Sequence, residues 1–441
     1  MAVTWKGKIQ IAILRFLLFW IWIFKRQKWK YPISDFEENP RYFRLKDSIY
    51  LAYKYYFSLS LRAEKDSGLK SYFHKQEFNS KESASDLTIS LGGDLMPYTY
   101  INGETCHNLW GECGTFFFSS DIVFANLETP VDTTRKPSLV PQVMLKEMLF
   151  NANEEIFDIF NGQRSYKGFD VLSVANNHSL DQGEEGLDQT LKFLIRKNIQ
   201  YSGAALTKDA LHDFPIISKK GINIAFISFT FSLNKFYLPP ERNWRCNHIR
   251  LNKPGVDIDL IVEQATIARR RGAHLVIASL HMGNAYQAYP VQNTIDVLHR
   301  ICTTAGIDVV VVGHAHNAQP IEWFEYNDVN LKRRKSLIFY SLGDFVAYDI
   351  YVLSHLSLLV KLYVKKTGDR VTLEGFEILP AYLLLTFNED KISQLTFRHF
   401  DKVFSERKNY SPDIRKQLSV VRYFYKKVLF TSAQRKKIIL K

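Results

Sequence analysis

The chain has 441 residues, 46% of them hydrophobic and 23% charged, enough for one large globular domain or two and outside the composition of disordered chains. Its net charge of +13 sits at the ends: residues 1–30 hold seven Lys/Arg and no acid, residues 401–441 hold twelve against three acids, and residues 31–400 sum to −3. A mildly acidic body argues against nucleic acid as a partner, because a nucleic-acid enzyme places its basic surface around the active site.

Taken in order, Ile9–Phe24 is apolar apart from Gln10 and Arg15, between Lys6 and Lys8 on one side and Lys25, Arg26, Lys28 and Lys30 on the other. Its sixteen residues reach about 24 Å as a helix, against a hydrocarbon core of about 30 Å. Three readings stand: a short span with snorkelling lysines, an interfacial anchor seated by Trp5, Trp20, Trp22 and Trp29, or a cleaved signal peptide that lacks a small-residue cleavage site. The expected localisation is membrane-associated, at the cell membrane, with lipid met through residues 9–24. Residues 31–85 are aromatic and charged with weak periodicity and end in the linker-like Ser80-Lys81-Glu82-Ser83-Ala84-Ser85.

From Leu87 the pattern changes. Strands are predicted at 87–92, 121–126, 170–175, 222–229, 274–280, 307–312 and 336–342, with helices near 184–197, 257–271 and 292–305, an alternation that specifies an α/β domain. Two further strands, 356–364 and 369–380, read as antiparallel, and residues 390–441 as mainly helical, basic and aromatic. Cys106, Cys113, Cys246 and Cys302 show no CxxC spacing; a Cys106–Cys113 pair is open, and free thiols are expected.

The chain is organised around Asp308-Val309-Val310-Val311-Val312-Gly313-His314-Ala315-His316. Four successive β-branched residues read as a strand buried on both faces. After it, Gly313 lets the backbone turn without a Cβ, and two imidazoles one residue apart can converge on a metal ion. A His-x-His pair alone is an ambiguous signal. Other strand ends strengthen it: 87–92 runs into Asp94, 121–125 into Asn126 and Glu128, 170–175 into Asn176, Asn177 and His178, and 275–280 into His281. One such residue is usually a turn former or cap, but loops at one sheet edge share a crevice, and this N/O donor set suits Mn²⁺, Fe²⁺ or Zn²⁺.

Gly93-Asp94-x-Met96, Ala125-Asn126-Leu127-Glu128, Ala175-Asn176-Asn177-His178, His281-Met282-Gly283, Gly313–His316 and Tyr340-Ser341-Leu342-Gly343 occur in the order seen in CapA-type poly-γ-glutamate capsule synthesis proteins, which the chain resembles over about 87–382. Through that family it resembles the calcineurin-like metallophosphatases. The resemblance implies a four-layer α/β/β/α sandwich, here with an N-terminal membrane segment and a helical, basic C-terminal extension. It implies two divalent metal ions held by Asp94, Glu128, Asn177, His281, His314 and His316, with His178 as the imidazole that approaches substrate. Met96 stands where the metallophosphatases have an imidazole, as in capsule proteins generally, and other positions depart from the capsule-family pattern: His281-Met282-Gly283-Asn284-Ala285-Tyr286 lacks a Trp and an acid, Gly-His-x-His is one residue shorter than usual, and Asp344 follows Gly343 where Asn is usual.

The expected layout is a membrane anchor over 1–30, an extension and linker over 31–85, a CapA-like domain over 86–382 and a basic helical tail over 383–441. The expected function is that of a CapA-like capsule synthesis protein, a metal-dependent hydrolase of a phosphoester or a cell-surface polymer. The alternative is a non-catalytic assembly component of a polymer synthesis and export complex. Implied partners are membrane lipid and other capsule synthesis proteins, with no nucleic acid.

Overall fold

The computed structural model describes residues 4–25, 36–39, 44–78, 85–141, 143–144, 148–329, 331–388 and 391–440. Most of the expected linker at 80–85 lies outside them. The chain opens with helix α1 (Trp5–Lys25), a single helical turn at Phe36–Glu38, and α2 (Leu45–Ala52), which continues into a π-helical turn at Tyr53–Phe57. A short α3 (Leu69–His74) follows. Among the described residues, the expected extension therefore carries several helical segments, its aromatic side chains packed inward: Tyr50, Tyr53, Tyr55, Tyr56 and Phe73 are all buried.

The α/β body then alternates: β1 (Leu87–Leu95), α4 (Gly114–Phe118), β2 (Ile122–Leu127), α5 (Glu154–Phe160), β3 (Val171–Ser173), α6 (Gly183–Arg196) and β4 (Gln200–Ser202). It continues through β5 (Ile216–Lys219), β6 (Ile222–Thr230), α7 (Asp259–Arg270), β7 (Leu275–His281), α8 (Gln292–Ala305), β8 (Val309–Gly313), β9 (Ile321–Asn327), β10 (Arg333–Phe339), β11 (Asp344–Val346), β12 (Leu356–Thr367), β13 (Arg370–Asn388) and β14 (Lys391–His399). Helices α9 (Phe400–Ser405), α10 (Pro412–Phe424) and α11 (Ser432–Ile438) close the chain. The last fifty residues are mainly helical as expected, except that 391–399 is the edge strand β14, paired antiparallel to β13.

The strands form two sheets of a mixed α/β architecture. One runs β14-β13-β12-β1-β2-β3-β4 with β11 added beside β1, the other β5-β6-β7-β8-β10-β9. Within each sheet the central strands are parallel, β1 to β4 and β6-β7-β8-β10, and antiparallel strands are added outside them. The sheets meet where Phe124 of β2 stacks on Phe226 of β6, centroids 5.4 Å apart. Val309–Val312 are buried between β7 and β10, as four unalternated valines require. The common parallel direction brings the C-terminal ends of β1, β2, β3, β7 and β8 to one region, which positions the site.

Both chain ends pack onto this body. Along α1, Ile11 and Leu18 are buried, Trp22 packs on Phe57 at 6.5 Å between centroids, and Arg15 Nε donates to Tyr56 O at 2.9 Å. The opposite face leaves Ile13, Phe16, Leu17, Trp20 and Phe24 exposed. In the tail, Leu418, Val421, Phe424, Tyr425 and Phe430 are buried, and Gln434 Nε2 donates to Phe73 O and Gln76 O at 2.9 Å each, tying it to the extension. All four cysteines are buried free thiols.

Candidate metal centre

Asp94 lies inside β1, two residues further along the strand than the sequence pattern places the strand end. Its carboxylate is fixed from two sides: Asn126 Nδ2 donates to Oδ1 at 2.8 Å and the His314 backbone N–H to Oδ2 at 2.8 Å. Asn126 is in turn held by Asn176 Nδ2, which donates to Asn126 Oδ1 at 3.2 Å and to Leu127 O at 2.8 Å. Asn126 in β2 and Asn176 after β3 thus act as spacers that set the acids. Glu128 follows β2 with its N–H on Leu95 O at 3.0 Å, and is fully buried.

From the other sheet, His281 at the end of β7 places Nε2 2.8 Å from Asn177 Oδ1 and 3.3 Å from Glu128 Oε1. Gly313 matters here for close approach: a Cβ there would lie 2.6 Å from Asp94 Oδ1 and 2.8 Å from His281 Nδ1. The tight turn is made by the histidines themselves, with φ of 87° at His314 and 56° at His316, a region that L residues with a Cβ occupy at a cost and that clusters at functional sites.

Two donor groups result. Glu128, His314 and His316 each present one ligand atom within 4.8 Å of one another, and Asp94, Glu128 and His281 do the same, so Glu128 belongs to both. Among the described residues, neither Glu128 oxygen, nor His314 Nδ1, nor Asp344 Oδ2 makes a hydrogen bond, although all are buried. A buried carboxylate with both oxygens unbonded is costly unless a cation takes its charge, and a donor shared by two groups suits a pair of ions. Burial pushes Asp94 up to about 7, with Glu128 adding to the shift, and pushes His281 down to about 3 and His314 to about 4. The protein environment alone therefore disfavours charge at Asp94, His281 and His314, and a divalent ion is the compensating group that the donor set fits.

Of the residues read from the sequence, Asp94, Glu128, His281, His314 and His316 lie in these two groups, and Asn177 reaches them through His281. His178 stands beside them: its ring stacks on Phe150 with centroids 4.0 Å apart, and Nδ1 lies 2.6 Å from Asp181 Oδ2. Burial works against its protonation, but Asp181 outweighs it and raises the imidazole pKa.

Three acids in the site have no role in the sequence reading. Asp181 follows His178 by three residues, a spacing that one turn closes. Asp344, noted only as a departure from the family pattern, pairs in register beside Asp94 and takes His316 Nδ1 at 3.0 Å; with burial opposing, Asp344 raises His316 to about 10. Glu37, from the turn after α1, has Oε2 2.9 Å from His314 Nε2. Nothing in its local sequence signals this contact.

A match to the family Bacterial capsule synthesis protein PGA_cap spans residues 88–349, more than half of the chain. The chain belongs to this family. The matched span ends before β12, short of the 382 expected from the motifs, and contains every site residue named above except Glu37. The chain is 28% identical over 302 residues to the PGA biosynthesis protein CapA of Bacillus subtilis (strain 168), covering 67% of this chain and 71% of the relative. It is 24% identical over 295 residues to the capsule biosynthesis protein CapA of Bacillus anthracis, covering 65% and 66%. Among solved structures it is similar to the Thermus thermophilus sulfate thiohydrolase SoxB (TM-score 0.37, 12% identity, 68% of this chain and 57% of the other). It is also similar to the calcineurin-like phosphoesterase YfkN of Bacillus subtilis (TM-score 0.34, 14% identity, 76% and 98%). Likenesses this distant carry no argument about the site.

Proposed function

We propose that this PGA_cap protein is a membrane-associated, metal-dependent hydrolase acting in capsule synthesis, on a phosphoester or on a cell-surface polymer. One observation carries the reading: Glu128 is shared by two N/O donor groups, and both of its buried oxygens lack a hydrogen bond among the described residues. Asp94, Glu128, Asn177, His281, His314 and His316 would hold two divalent ions, which when bound supply Lewis-acid polarisation of the reacting group. Asn126 and Asn176 set the carboxylates. His178, its Nδ1 turned to Asp181 and its ring fixed on Phe150, presents Nε2 to the reacting group and carries a proton to the leaving atom.

In this reading the two sheets are the inner layers of an α/β/β/α sandwich, residues 86–382 are the catalytic domain, and 383–441 are a tail joined to it through β13 and β14. Helix α1, 21 residues long and so about 32 Å, is long and apolar enough to cross a membrane. Because its Ile11, Arg15, Leu18 and Trp22 side faces protein, we place it along the membrane interface, its exposed apolar side in the lipid. The test is metal content of the purified full chain together with hydrolysis of p-nitrophenyl phosphate and bis-p-nitrophenyl phosphate, with Mn²⁺ and after chelation. Mn²⁺-dependent turnover abolished by chelation is expected. Bound metal without turnover of either ester rejects the phosphoesterase form and favours a polymer bond, and absence of both metal and turnover rejects the proposal.

A further inference from the structure

We propose that the segment between the membrane helix and the body is a working part of the metal centre: Glu37 is a positioning residue that holds the His314 imidazole for one of the two cations. The inference rests on the metal-dependent reading above and concerns a residue outside the span that matches the family.

The geometry is specific. Glu37 is buried, and its Oε2 lies 2.9 Å from His314 Nε2 while also accepting the Ala285 N–H at 3.0 Å. An ionised carboxylate can only accept, so the imidazole must present Nε2–H to it, and the lone pair is left on Nδ1. Nδ1 is the His314 atom that is buried without a hydrogen bond among the described residues, on a residue of the Glu128–His314–His316 donor group. A carboxylate that takes the far N–H of a ligating histidine fixes its tautomer and ring orientation and raises its basicity.

The turn that carries Glu37 is built to stay in place. Lys54 Nζ lies 3.7 Å from Glu37 Oε1 and donates to Ala285 O at 2.7 Å, a cation from the same extension placed where a buried carboxylate needs one. Next to it, Ser232 Oγ donates to Glu38 O, and Arg250 Nη2 donates to Glu38 Oε2 at 2.8 Å. The loops after β6, β7 and β8 therefore all grip residues 37 and 38. Lys54 belongs to the π-helical turn whose Tyr56 carbonyl accepts from Arg15 of α1, so the membrane helix, the turn and the imidazole form one run of contacts.

The test uses the full chain in detergent and Mn²⁺ alone, titrated calorimetrically, with bound metal counted after gel filtration. The wild type is expected to take two ions. Glu37→Ala should weaken one of them by about 10–100-fold, the usual worth of such a carboxylate, leaving the ion of the Asp94–Glu128–His281 group near wild-type affinity. Glu37→Gln, whose amide oxygen can still accept Nε2–H, should recover most of the loss. Two ions bound at wild-type affinity in Glu37→Ala would overturn the inference. So would an equal loss of both ions accompanied by a lower Tm of the metal-free protein, which would make Glu37 a structural tie only. A wild type that binds no Mn²⁺ would overturn the proposed function itself, a result distinct from either.

Discussion

His178 Nδ1 lies 2.6 Å from Asp181 Oδ2 while Phe150 covers the ring, so the imidazole is held in one orientation with Asp181 as its counter-charge. In His178→Ala, turnover should fall by about 10²–10⁴, the range for a general acid, with metal content unchanged. Asp181→Asn should lower turnover by less and shift the alkaline limb of the pH–rate profile to lower pH, since the general acid must be protonated and the carboxylate that raises the His178 pKa is gone. Loss of metal from His178→Ala would make His178 a ligand instead.

Asp344 stands to His316 as Glu37 stands to His314. Asp344→Ala should weaken Mn²⁺ binding about 10–100-fold, whereas Asp344→Asn, whose amide oxygen still accepts the Nδ1–H, should keep most of it. Equal effects of the two substitutions, measured by Mn²⁺ titration, would show that charge and not ring orientation is what Asp344 supplies.

A methyl group at position 313 has no room, because it would meet Asp94 Oδ1 and His281 Nδ1 below 3 Å. Gly313→Ala should therefore cost about 1–3 kcal/mol of stability, as overpacking does, and also reduce metal content by displacing two donors. Unchanged metal content in a folded Gly313→Ala protein would argue that the centre adapts.

Asp349 offers a pH test away from the metal donors. Burial, aided by Asp344, raises it from an ordinary 3.8 to about 6, while Tyr55 OH donates to Oδ2 at 2.9 Å. A carboxyl raised in the folded state contributes stability that is fully present below 3.8 and lost as pH rises through about 6. The wild type should accordingly lose about 2 kcal/mol relative to Asp349→Asn between pH 4 and 7, read as a growing Tm difference in favour of the variant. Parallel Tm curves would contradict this.

The proposed membrane contact divides into an apolar and an electrostatic part. Deleting residues 1–30 should release most protein from liposomes. Because the tail is packed through Phe424, Tyr425 and Gln434, its charge is better tested by reversal than by deletion: the exposed Lys427, Lys436 and Lys437 changed to Glu. That variant should bind more weakly only on anionic vesicles and mainly at low salt, by up to about 1 kcal/mol per charge. Unchanged sedimentation at every lipid charge would assign these lysines to solvent alone.

What the sequence displayed of this fold was what periodicity encodes. Unalternated runs such as Val309–Val312 mark central parallel strands because both faces are covered, and α6 to α8 follow from their amphipathic repeat. Strands such as Gln200–Ser202 and Asp344–Val346, three residues each, are too short to show any period and exist only because a neighbour supplies the ladder. The residues that gather in the two donor groups were legible because each lies near the end of a readable strand. Glu37 was not, since its partner is 277 positions away and its own surroundings carry no pattern. The helical content of the extension was hidden for a related reason: its tyrosines are placed by the body they cover.

The strand that carries Asp94 has an order-of-synthesis consequence. Leu87–Leu91 pair antiparallel with residues 360–364, and Asp94 itself receives its second hydrogen bond from a residue 220 positions later. Half of one sheet must therefore wait, with an open edge, until most of the chain has left the ribosome, and the extension waits longer still, for Gln434. Contacts this distant slow folding and prolong exposure of unpaired strands. At the proposed centre, cation loading would accordingly be a late event that locks a finished fold, and a protein truncated before β12 should accumulate as an aggregation-prone, metal-free intermediate.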